Sequence, residues 1–245
     1  MSTFAVILPA AGKSTRFGGA GRKKPFIDLN GQPVWVRAVE PFRARNDVQQ
    51  IVVVVSASDV EWFRETFQAQ LKRLQVSVVE GGAERMNSVE NALRSISDET
   101  DFVAVHDAAR PMISPEVIDR VFQKAIESDA AIPGVPISST VKRVAEHCIV
   151  ETVDRSSLWA AQTPQTFRSS VLVDAYQNRG NNLTTDEAQL VERTGRAVHV
   201  VEGDPLNLKI TTKEDLFLAE AILQHESRRS DASSPTPFND RAPGS

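Results

Sequence analysis

The stretch FAVILPAAGKSTRFGGAGRKKP, residues 4–25, decides the fold, because a short apolar run passes directly into a loop with four glycines and five cationic side chains. An apolar run of this length that ends at Pro9 is typical of a buried strand. Glycine lets the backbone approach a ligand closely and turn successive amide groups towards phosphate oxygens. The loop therefore favours a polyanionic ligand, with Arg16, Lys23 and Lys24 as candidate cationic contacts.

Short runs rich in β-branched residues recur at 51–55, 76–80, 102–106 and, less regularly, 130–136. Helical patterns lie between these runs, and parallel strands need helical crossovers of this kind. We therefore predict an α/β fold with a doubly wound, mostly parallel sheet. Ligands of such sheets bind beyond the carboxyl ends of the strands, so the loops at that edge are the ones to search for chemistry.

Three helix beginnings have local signals. Pro33 is a favourable first residue for one helix, and Ser114 followed by Pro115 is expected to begin another. Ser58 and Glu61 have the spacing of a capping box, which predicts a helix that begins at Ser58.

Residues 137–158 interrupt the alternation, since two short strand-like segments flank a polar turn and indicate a small protruding β-arm. After the arm we expect helices at 169–176 and 185–193, a strand at 198–201 and a final helix at 212–223. Residues 1–225 are thus predicted to form a single domain. The tail 226–245 is polar and rich in Pro and Ser, and is expected to lack order.

Composition excludes several classes of protein. The net charge of -4 argues against binding to a nucleic-acid backbone, which normally requires a basic excess. The single cysteine, Cys148, excludes an intrachain disulfide framework and any multi-cysteine zinc site. No signal-peptide pattern and no apolar run long enough to span a bilayer is evident. We expect a cytoplasmic protein with no membrane or nucleic-acid partner.

Two known phosphate-binding motifs resemble the first loop without fitting it. Gly12, Lys13 and Ser14 match the end of a Walker A motif, but Ile7 stands where that motif needs a glycine. Gly12 also begins no G-x-G-x-x-G series, so the pattern argues against a dinucleotide site. A solvated surface loop without a ligand remains open on this evidence alone.

Two further motifs follow predicted strands. GGAERMNSV at 81–89 has glycines that permit close approach to a base or ribose, and Ser88 can hydrogen-bond a base edge. VHDAARP at 105–111 contains Asp107, a candidate ligand for a metal ion or ribose hydroxyls, and Arg110, which can orient the Asp107 loop. His106 is interpreted as a strand-end residue oriented by packing. Both motifs lie at the predicted ligand-binding edge.

These motifs, taken in order, resemble those of the 2-C-methyl-D-erythritol 4-phosphate cytidylyltransferase family. The resemblance continues through TVKR at 140–143, VDRSSLWAAQTPQTF at 153–167, TTDEA at 184–188 and NLKIT at 207–211, and covers residues 4–223. It implies a Rossmann-like nucleotidyltransferase fold and transfer of a cytidylyl group from CTP to 2-C-methyl-D-erythritol 4-phosphate, with release of pyrophosphate. It also implies Mg²⁺ as the metal and a homodimer in which the arms are exchanged.

The resemblance assigns roles to individual residues. The catalytic residues it implies are Arg16, Lys24, Arg155 and Lys209. The residues it implies for the nucleotide are Pro9, Ala10, Ala11, Gly12, Gly82, Glu84, Arg85, Ser88, Asp107 and Ala108. Asp107 is also the implied metal ligand. The residues it implies for the acceptor are Thr140, Arg155, Thr163, Thr185 and Arg110, and the segment with Gly82 and Ser88 is expected to be a cytosine-reading loop.

Two departures from the family pattern lie in the first loop. Ser14 stands where a glycine is common, and Pro25 stands where a glutamine is common, which removes one backbone donor. We expect an altered loop geometry rather than a loss of activity. Two other functions stay open at this point: a cytidylyltransferase for another polyol phosphate such as ribitol 5-phosphate, and a noncatalytic nucleotide-binding regulator.

Overall fold

The computed structural model describes residues 1–12, 24–180 and 184–232. Its strands are β1 Phe4–Pro9, β2 Asp28–Leu29, β3 Gln32–Pro33, β4 Val48–Val55, β5 Val76–Glu80, β6 Phe102–Val105, β7 Ala130–Pro136, β8 Val141–Ala145, β9 Cys148–Val153, β10 Trp159–Ala161, β11 Gln165–Arg168 and β12 His199–Glu202. Its helices are α1 Val34–Arg43, α2 Val60–Thr66, α3 Gln68–Leu74, α4 Arg85–Leu93, α5 Pro115–Ser128, α6 Ser169–Gln177, α7 Glu187–Glu192 and α8 Lys213–Ala232.

The central sheet has eight strands in the order β10-β7-β11-β6-β1-β4-β5, and β12 pairs with β7. β1 lies parallel to β4 and β6, β4 lies parallel to β5, and β12 lies parallel to β7. This mostly parallel sheet confirms the predicted fold class. Because β1, β4, β5 and β6 run in one direction, their carboxyl ends meet at one edge.

Helices cover both faces of the sheet, as the doubly wound prediction requires. Val6 and Leu8 of β1 belong to a core cluster with side chains of α1, α2 and α5, whereas Ile7 belongs to a second cluster with side chains of α4, α6 and α7. Successive residues of a strand point to opposite faces. A strand buried on both faces therefore consists of continuous apolar residues, which explains the run FAVIL.

Two strands of the central sheet were not expected from the sequence. β11 lies antiparallel between β6 and β7, and β10 lies antiparallel to β7. Both are short, and their partners are distant in sequence, so no local pattern indicates their pairing. Because of these pairings, residues 162–165 lie beneath the carboxyl end of β6, at the edge of the sheet where a ligand is expected to bind.

The helix beginnings agree with prediction at two of three places. Helix α1 begins at Val34 directly after Pro33, and the Ser114 hydroxyl caps α5 by accepting a hydrogen bond from the Val117 amide. The capping box at Ser58 was wrong: α2 begins at Val60, after a short 3-10 turn at Ala57–Asp59. The Ser58 hydroxyl donates to the Asp59 carboxylate instead.

The arm predicted at 137–158 contains an antiparallel hairpin of β8 and β9 that forms a separate two-stranded sheet. Glu146 and His147 at its turn have φ values of 48° and 63°, the pair of positive φ angles that a two-residue hairpin turn requires. Side chains of the hairpin are almost all exposed. The arm therefore projects from the core rather than packing against it.

The last helix extends beyond its predicted end. Helix α8 runs to Ala232 at the backbone level, past the expected end at residue 223 and into the segment predicted to lack order. Its first turns pack Ala219 against Leu29, Val34 and Ile210, so the helix fixes the segment that precedes it. Among the described helices, none is long and apolar enough to cross a membrane.

Candidate active site

A cavity of about 770 Å³ opens at the carboxyl ends of β1, β4, β5 and β6. Every described residue predicted to bind the nucleotide lines it, together with Lys209. The lining is made of Pro9, Ala10, Ala11, Gly12, Pro25, Ser56, Ser58, Gly82, Ala83, Glu84, Arg85, Ser88, Asp107, Ala108, Ala109, Lys209 and Ile210. The cavity thus lies at the edge where a doubly wound sheet is expected to bind its ligand.

The first wall is the chain that leaves β1. The Ala10 amide donates to the Val54 carbonyl of β4, which extends the sheet by one residue before the chain turns away at Ala11 and Gly12. Arg16, Lys23 and the side chain of Lys24 lie outside the described residues, as does Ser14. Pro25 lies inside them, lines the cavity and is buried.

The second wall is the tight turn between β5 and α4. A Cβ at Gly81 would lie 2.8 Å from both Ala11 Cβ and Ser88 Oγ, and a Cβ at Gly82 would lie 2.4 Å from Asn87 Cβ. Both positions therefore require glycine. The Ser88 hydroxyl accepts a hydrogen bond from the Gly82 amide and donates to the Glu84 carbonyl.

The placement of Arg85 and Ser88 corrects a prediction. Both belong to the segment that was predicted to be a cytosine-reading loop, but they lie in the first turn and the middle of α4. Glu84 is the N-cap and makes no side-chain capping hydrogen bond, so the usual sequence signal of a helix beginning is missing. The Ser88 hydroxyl is held by backbone groups, and its first role is to close the turn that shapes the wall.

Arg85 is anchored by a carboxylate from the other half of the chain. Its guanidinium donates two hydrogen bonds to Glu187, Nη1 to Oε1 at 2.6 Å and Nη2 to Oε2 at 2.9 Å. The Tyr176 hydroxyl donates to Glu187 Oε1 at 3.2 Å. Burial lowers the pKa of Arg85, but Glu187 and Asp107 outweigh burial and raise it. Arg85 is therefore permanently charged and fixed in direction.

Asp107 lies at the centre of a cluster of cations on the cavity floor. Its Oδ2 is 2.9 Å from Lys209 Nζ and 3.3 Å from Arg110 Nε, and its Oδ1 is 3.8 Å from Arg85 Nη2. Burial raises the pKa of the Asp107 carboxyl, but Lys209, Arg85 and Arg110 outweigh burial and hold the pKa well below its usual range. The carboxylate is ionised at any pH at which the protein functions, and the cluster carries net positive charge.

Two hydrogen bonds to backbone carbonyls bring the segment with Lys209 next to Asp107. The Ile210 amide donates to the Ala109 carbonyl at 2.8 Å, and Arg110 Nη1 donates to the Asn207 carbonyl at 2.7 Å. Arg110 therefore orients the loop after β6, as predicted, and also fixes the segment that contains Lys209. The Lys209 side chain remains about half-exposed towards the cavity.

Matches with known proteins decide the family. The model of the family described as 2-C-methyl-D-erythritol 4-phosphate cytidylyltransferase matches residues 4–225. The chain belongs to this family. It is accordingly an enzyme, a nucleotidyltransferase of the cytidylyltransferase class. The family predicted from the order of the motifs is confirmed.

Individual relatives agree with the family model over nearly their whole length. A 2-C-methyl-D-erythritol 4-phosphate cytidylyltransferase of Bacillus velezensis is 42% identical over 227 residues, which cover 91% of this chain and 97% of the relative. One of Rhodopirellula baltica is 43% identical over 234 residues, with coverage of 91% and 95%. The crystal structure of the Thermus thermophilus enzyme is 31% identical with a TM-score of 0.76, and the match covers 91% of this chain and 100% of that one.

The residues predicted for the acceptor of this cytidylyltransferase do not line the cavity within the described part of the chain. Thr140 and Arg155 are exposed on the arm, where Arg155 Nη1 donates to the Ile137 carbonyl at 3.2 Å. Thr185 is exposed, and its amide donates to the Gln189 side chain. Thr163 is buried beneath Asp107. The structure thus gathers the described residues predicted for the nucleotide. It places Arg110 and Thr163 next to Asp107, and it leaves Thr140, Arg155 and Thr185 away from the cavity lining.

Several residues of the site were missed by sequence reasoning. Ser56 and Ser58 line the cavity after β4. The rule that ligands bind beyond the carboxyl ends of parallel strands was sufficient to predict them as site residues. Glu187 lies within the TTDEA motif but was given no role, and Asn207 lies within NLKIT. Both are buried, and a buried carboxylate indicates a charged partner. That partner is Arg85, which the sequence alone does not place next to Glu187.

Nucleotidyltransferases of this family generally need a divalent cation. Among the described residues there is no group of three or more His, Cys, Asp or Glu side chains that would hold a metal by themselves. The cavity does contain the carboxylates of Asp107 and Glu84. Mg²⁺ in phosphate-transferring enzymes is commonly held by one or two carboxylates and the substrate phosphates, so this donor set fits a cation that binds with a nucleotide.

Proposed function

We propose that this enzyme transfers a cytidylyl group from CTP to 2-C-methyl-D-erythritol 4-phosphate in the synthesis of isoprenoid precursors. The observation that carries the proposal is the cavity itself. It joins the chain after β1, the glycine turn after β5, and the Asp107–Lys209 pair in one volume that is large enough for a nucleoside triphosphate. The family assignment supplies the base and the acceptor.

The walls suggest how the nucleotide lies. The backbone from Pro9 to Gly12 is proposed to hold the triphosphate, because amide groups next to glycine can point at phosphate oxygens. The turn at Gly82 is proposed to face the cytosine, since it lines the cavity and glycine lets the backbone approach a ligand closely. Asp107 is then proposed to face the ribose and the metal. Arg16 and Lys24 are proposed contacts of the phosphates.

The reaction needs charge stabilisation and no general base. An oxygen of the acceptor phosphate attacks the α-phosphorus of CTP and forms a new P–O bond, while the bond from the α-phosphorus to the bridging oxygen breaks and pyrophosphate leaves with the electron pair. The second pKa of a phosphate monoester is about 6, so the attacking oxygen already carries charge at neutral pH.

Lys209 is the proposed catalytic cation of the described part of the site. Its ammonium group lies at the cavity floor, 2.9 Å from Asp107, on a segment fixed by α8 and Arg110. A fixed cation that faces the α-phosphate stabilises the charge that builds on its oxygens in the transition state. Arg85 adds positive potential, and its two hydrogen bonds to Glu187 fix its position.

Mg²⁺ is the proposed metal, with Asp107 and the triphosphate as its ligands. When bound, it would neutralise phosphate charge and favour the departure of pyrophosphate. Asp107 Oδ1 is the oxygen proposed for this role, because the contacts of Lys209 and Arg110 are to Oδ2, whereas Arg85 approaches Oδ1 at 3.8 Å.

The acceptor site is proposed to form between two subunits. In the hairpin of β8 and β9, the apolar residues Val144, Ile149 and Val150 are 55%, 65% and 60% exposed. An isolated two-stranded hairpin is marginally stable in water, and exposed apolar side chains close together on such a hairpin favour a protein contact. A second copy of the chain is the proposed partner. Its arm would bring Thr140 and Arg155 towards the acceptor, opposite Thr185 and Arg110.

The compartment proposed for the reaction is the cytoplasm, where CTP is synthesised. The free, exposed Cys148 is compatible with a reducing environment.

A parallel acceptor assay tests the proposed function. Purified enzyme with CTP and Mg²⁺ receives 2-C-methyl-D-erythritol 4-phosphate in one reaction and ribitol 5-phosphate in another, and pyrophosphate release is followed in both. We expect turnover with the first acceptor and at least about tenfold lower kcat/KM with the second, because the acceptor contacts differ. A preference for ribitol 5-phosphate would reject the proposed acceptor. CTP binding by calorimetry without turnover on either acceptor would instead establish a noncatalytic regulator.

A further inference from the structure

Asp215, in the first turn of α8, makes more hydrogen bonds than the beginning of a helix requires. Its amide donates to the Thr212 hydroxyl at 3.3 Å, and its Oδ2 accepts from the Thr212 amide at 2.8 Å. This reciprocal pair has the pattern of a capping box. The same Oδ2 also accepts from the amide and the hydroxyl of Thr211, at 2.7 Å and 2.6 Å. These two further contacts reach a residue before the helix and are not part of its cap.

The charge of Asp215 strengthens its contacts with Thr211. The Thr211 hydroxyl lowers the pKa of Asp215 more than partial burial raises it, and the Thr211 and Thr212 amides lower it further. The carboxylate is therefore ionised at neutral pH, and hydrogen bonds to an ionised group are roughly twice as strong as bonds between neutral groups. Asp215 thus holds the backbone that precedes α8 as well as the helix itself.

The segment held in this way contains Lys209, two residues before Thr211. Residues 207–212 belong to neither a helix nor a strand, so no regular ladder of backbone hydrogen bonds fixes them. Leu208 and Ile210, the neighbours of Lys209, pack in an apolar cluster with side chains of α8. The side chain of Lys209 itself lines the cavity.

Lys209 is therefore placed by contacts on two sides. Two hydrogen bonds to backbone carbonyls join its segment to the loop after β6, which contains Asp107. The contacts between Asp215 and Thr211 join the same segment to α8. Because α8 packs against the core of the domain, these contacts connect Lys209 to a fixed element outside the cavity.

On the basis of the proposed function, we propose that Asp215 is a positioning residue that acts through Lys209. Its hydrogen bonds to Thr211 fix the segment before α8 and so hold the ammonium group of Lys209 at its place on the cavity floor. Without them Lys209 keeps its charge but loses its fixed position. Small displacements of groups that orient reactants reduce turnover strongly.

Two adjacent threonines separate this role from helix capping. Thr211→Val removes the hydroxyl that donates to Asp215 from before the helix, whereas Thr212→Val removes the hydroxyl that accepts from the Asp215 amide within the cap. Both side chains are partly buried, and both substitutions remove the same atom. The proposal expects the first to affect turnover and the second to affect mainly the stability of α8.

The kinetic test uses CTP, Mg²⁺ and the acceptor. Asp215→Ala is expected to lower kcat by about thirtyfold, with the KM for CTP changed less than about threefold. Asp215→Asn keeps an acceptor oxygen and is expected to recover at least about fivefold of that loss. Thr211→Val is expected to lower kcat by about fivefold, and Thr212→Val by less than about twofold. Equal losses of kcat in the two threonine variants would overturn the proposal.

A double-mutant cycle tests whether Asp215 acts through Lys209. In the Lys209→Ala background, Asp215→Ala is expected to lower kcat by less than about twofold, because the group that Asp215 positions is already absent. A substitution that only destabilised the fold would reduce kcat by the same factor in both backgrounds. A loss of about thirtyfold in the Lys209→Ala background would therefore overturn the proposal.

Hydrogen exchange of the substrate-free enzyme provides a readout that needs no turnover. The Ile210 amide, next to Lys209, donates to the Ala109 carbonyl. Asp215→Ala is expected to speed exchange at the Ile210 amide by at least about tenfold, whereas Thr212→Val is expected to speed exchange only in the first turn of α8. Unchanged exchange at Ile210 in Asp215→Ala would reject the proposal. Lack of turnover in the wild-type enzyme would instead reject the proposed function, so the two failures are distinguishable.

Discussion

Asp107 is 7% exposed and lies among Lys209, Arg110 and Arg85, whereas Arg155 on the arm is exposed and donates one hydrogen bond to the Ile137 carbonyl. The cavity floor is held by contacts that join distant parts of one chain. The arm forms a hairpin with few contacts to the rest of that chain. The proposed nucleotide half of the site is thus assembled within one chain, whereas the acceptor half is proposed to form with a second copy.

The largest expected effect tests the cavity floor. Lys209→Ala is expected to lower kcat by about a thousandfold while CTP affinity changes far less, because the cation acts mainly on charge that develops in the transition state. Steady-state kinetics and CTP calorimetry measure the two quantities. Lys213→Ala is the control, since Lys213 is an exposed lysine that does not line the cavity. Unchanged turnover in Lys209→Ala would reject the catalytic role of this residue.

A second prediction tests how Arg85 is held. Glu187→Gln removes the charge of a carboxylate whose side chain is fully buried, and is expected to lower the free energy of unfolding by about 2 kcal/mol. It should also raise the KM for CTP several-fold, because Arg85 lines the cavity. Chemical denaturation and kinetics with varied CTP provide the two measurements.

The matched control for Glu187→Gln is Glu90→Gln. Glu90 also accepts from an arginine, Arg179, and that pair also joins α4 to the region after α6, but neither residue lines the cavity. We expect a stability loss under about 1 kcal/mol and an unchanged KM for CTP. If both variants raise the KM for CTP equally, the contact with Glu187 only anchors α4 and does not direct Arg85.

The third prediction tests the arm. Arg155→Ala is expected to lower kcat/KM for the acceptor by about tenfold and to leave CTP affinity unchanged, because the proposed contact of Arg155 is with the acceptor. Its effect on the free energy of unfolding should be under about 0.5 kcal/mol, as for other exposed side chains. Arg143→Ala removes another exposed cation of the same arm and serves as the control. Equal losses in the two variants would contradict a specific role for Arg155.

The sequence predicted most of the sheet because its strands have strong local signals. β1, β4, β5, β6 and β7 are apolar runs between turns, and the rule about their carboxyl ends brought Gly12, Gly82 and Asp107 to one edge. The hairpin of the arm was also predicted, since its polar turn and strand-like segments are adjacent in sequence.

What the sequence did not predict depends on contacts between distant residues. The antiparallel position of β11 follows from its pairing with β6 and β7, which a local pattern does not indicate. The contact between the Thr163 hydroxyl and His106 joins residues that are distant in sequence, so no local pattern indicates it. Helix α4 lacks a capping side chain at Glu84, so its beginning has no local signal.

The shared site is tested most directly by a dimer that carries Lys209→Ala in one subunit and Arg155→Ala in the other. Coexpression of differently tagged chains and purification through both tags isolates this mixed dimer. If the arm acts on the partner, one site combines both substitutions and the other has neither, so the mixed dimer should retain about half of the wild-type kcat/KM for the acceptor. If the arm acts within its own subunit, each site carries one substitution and the expected kcat/KM is no more than about a tenth of wild type, which would contradict the account, as would failure to recover a mixed dimer.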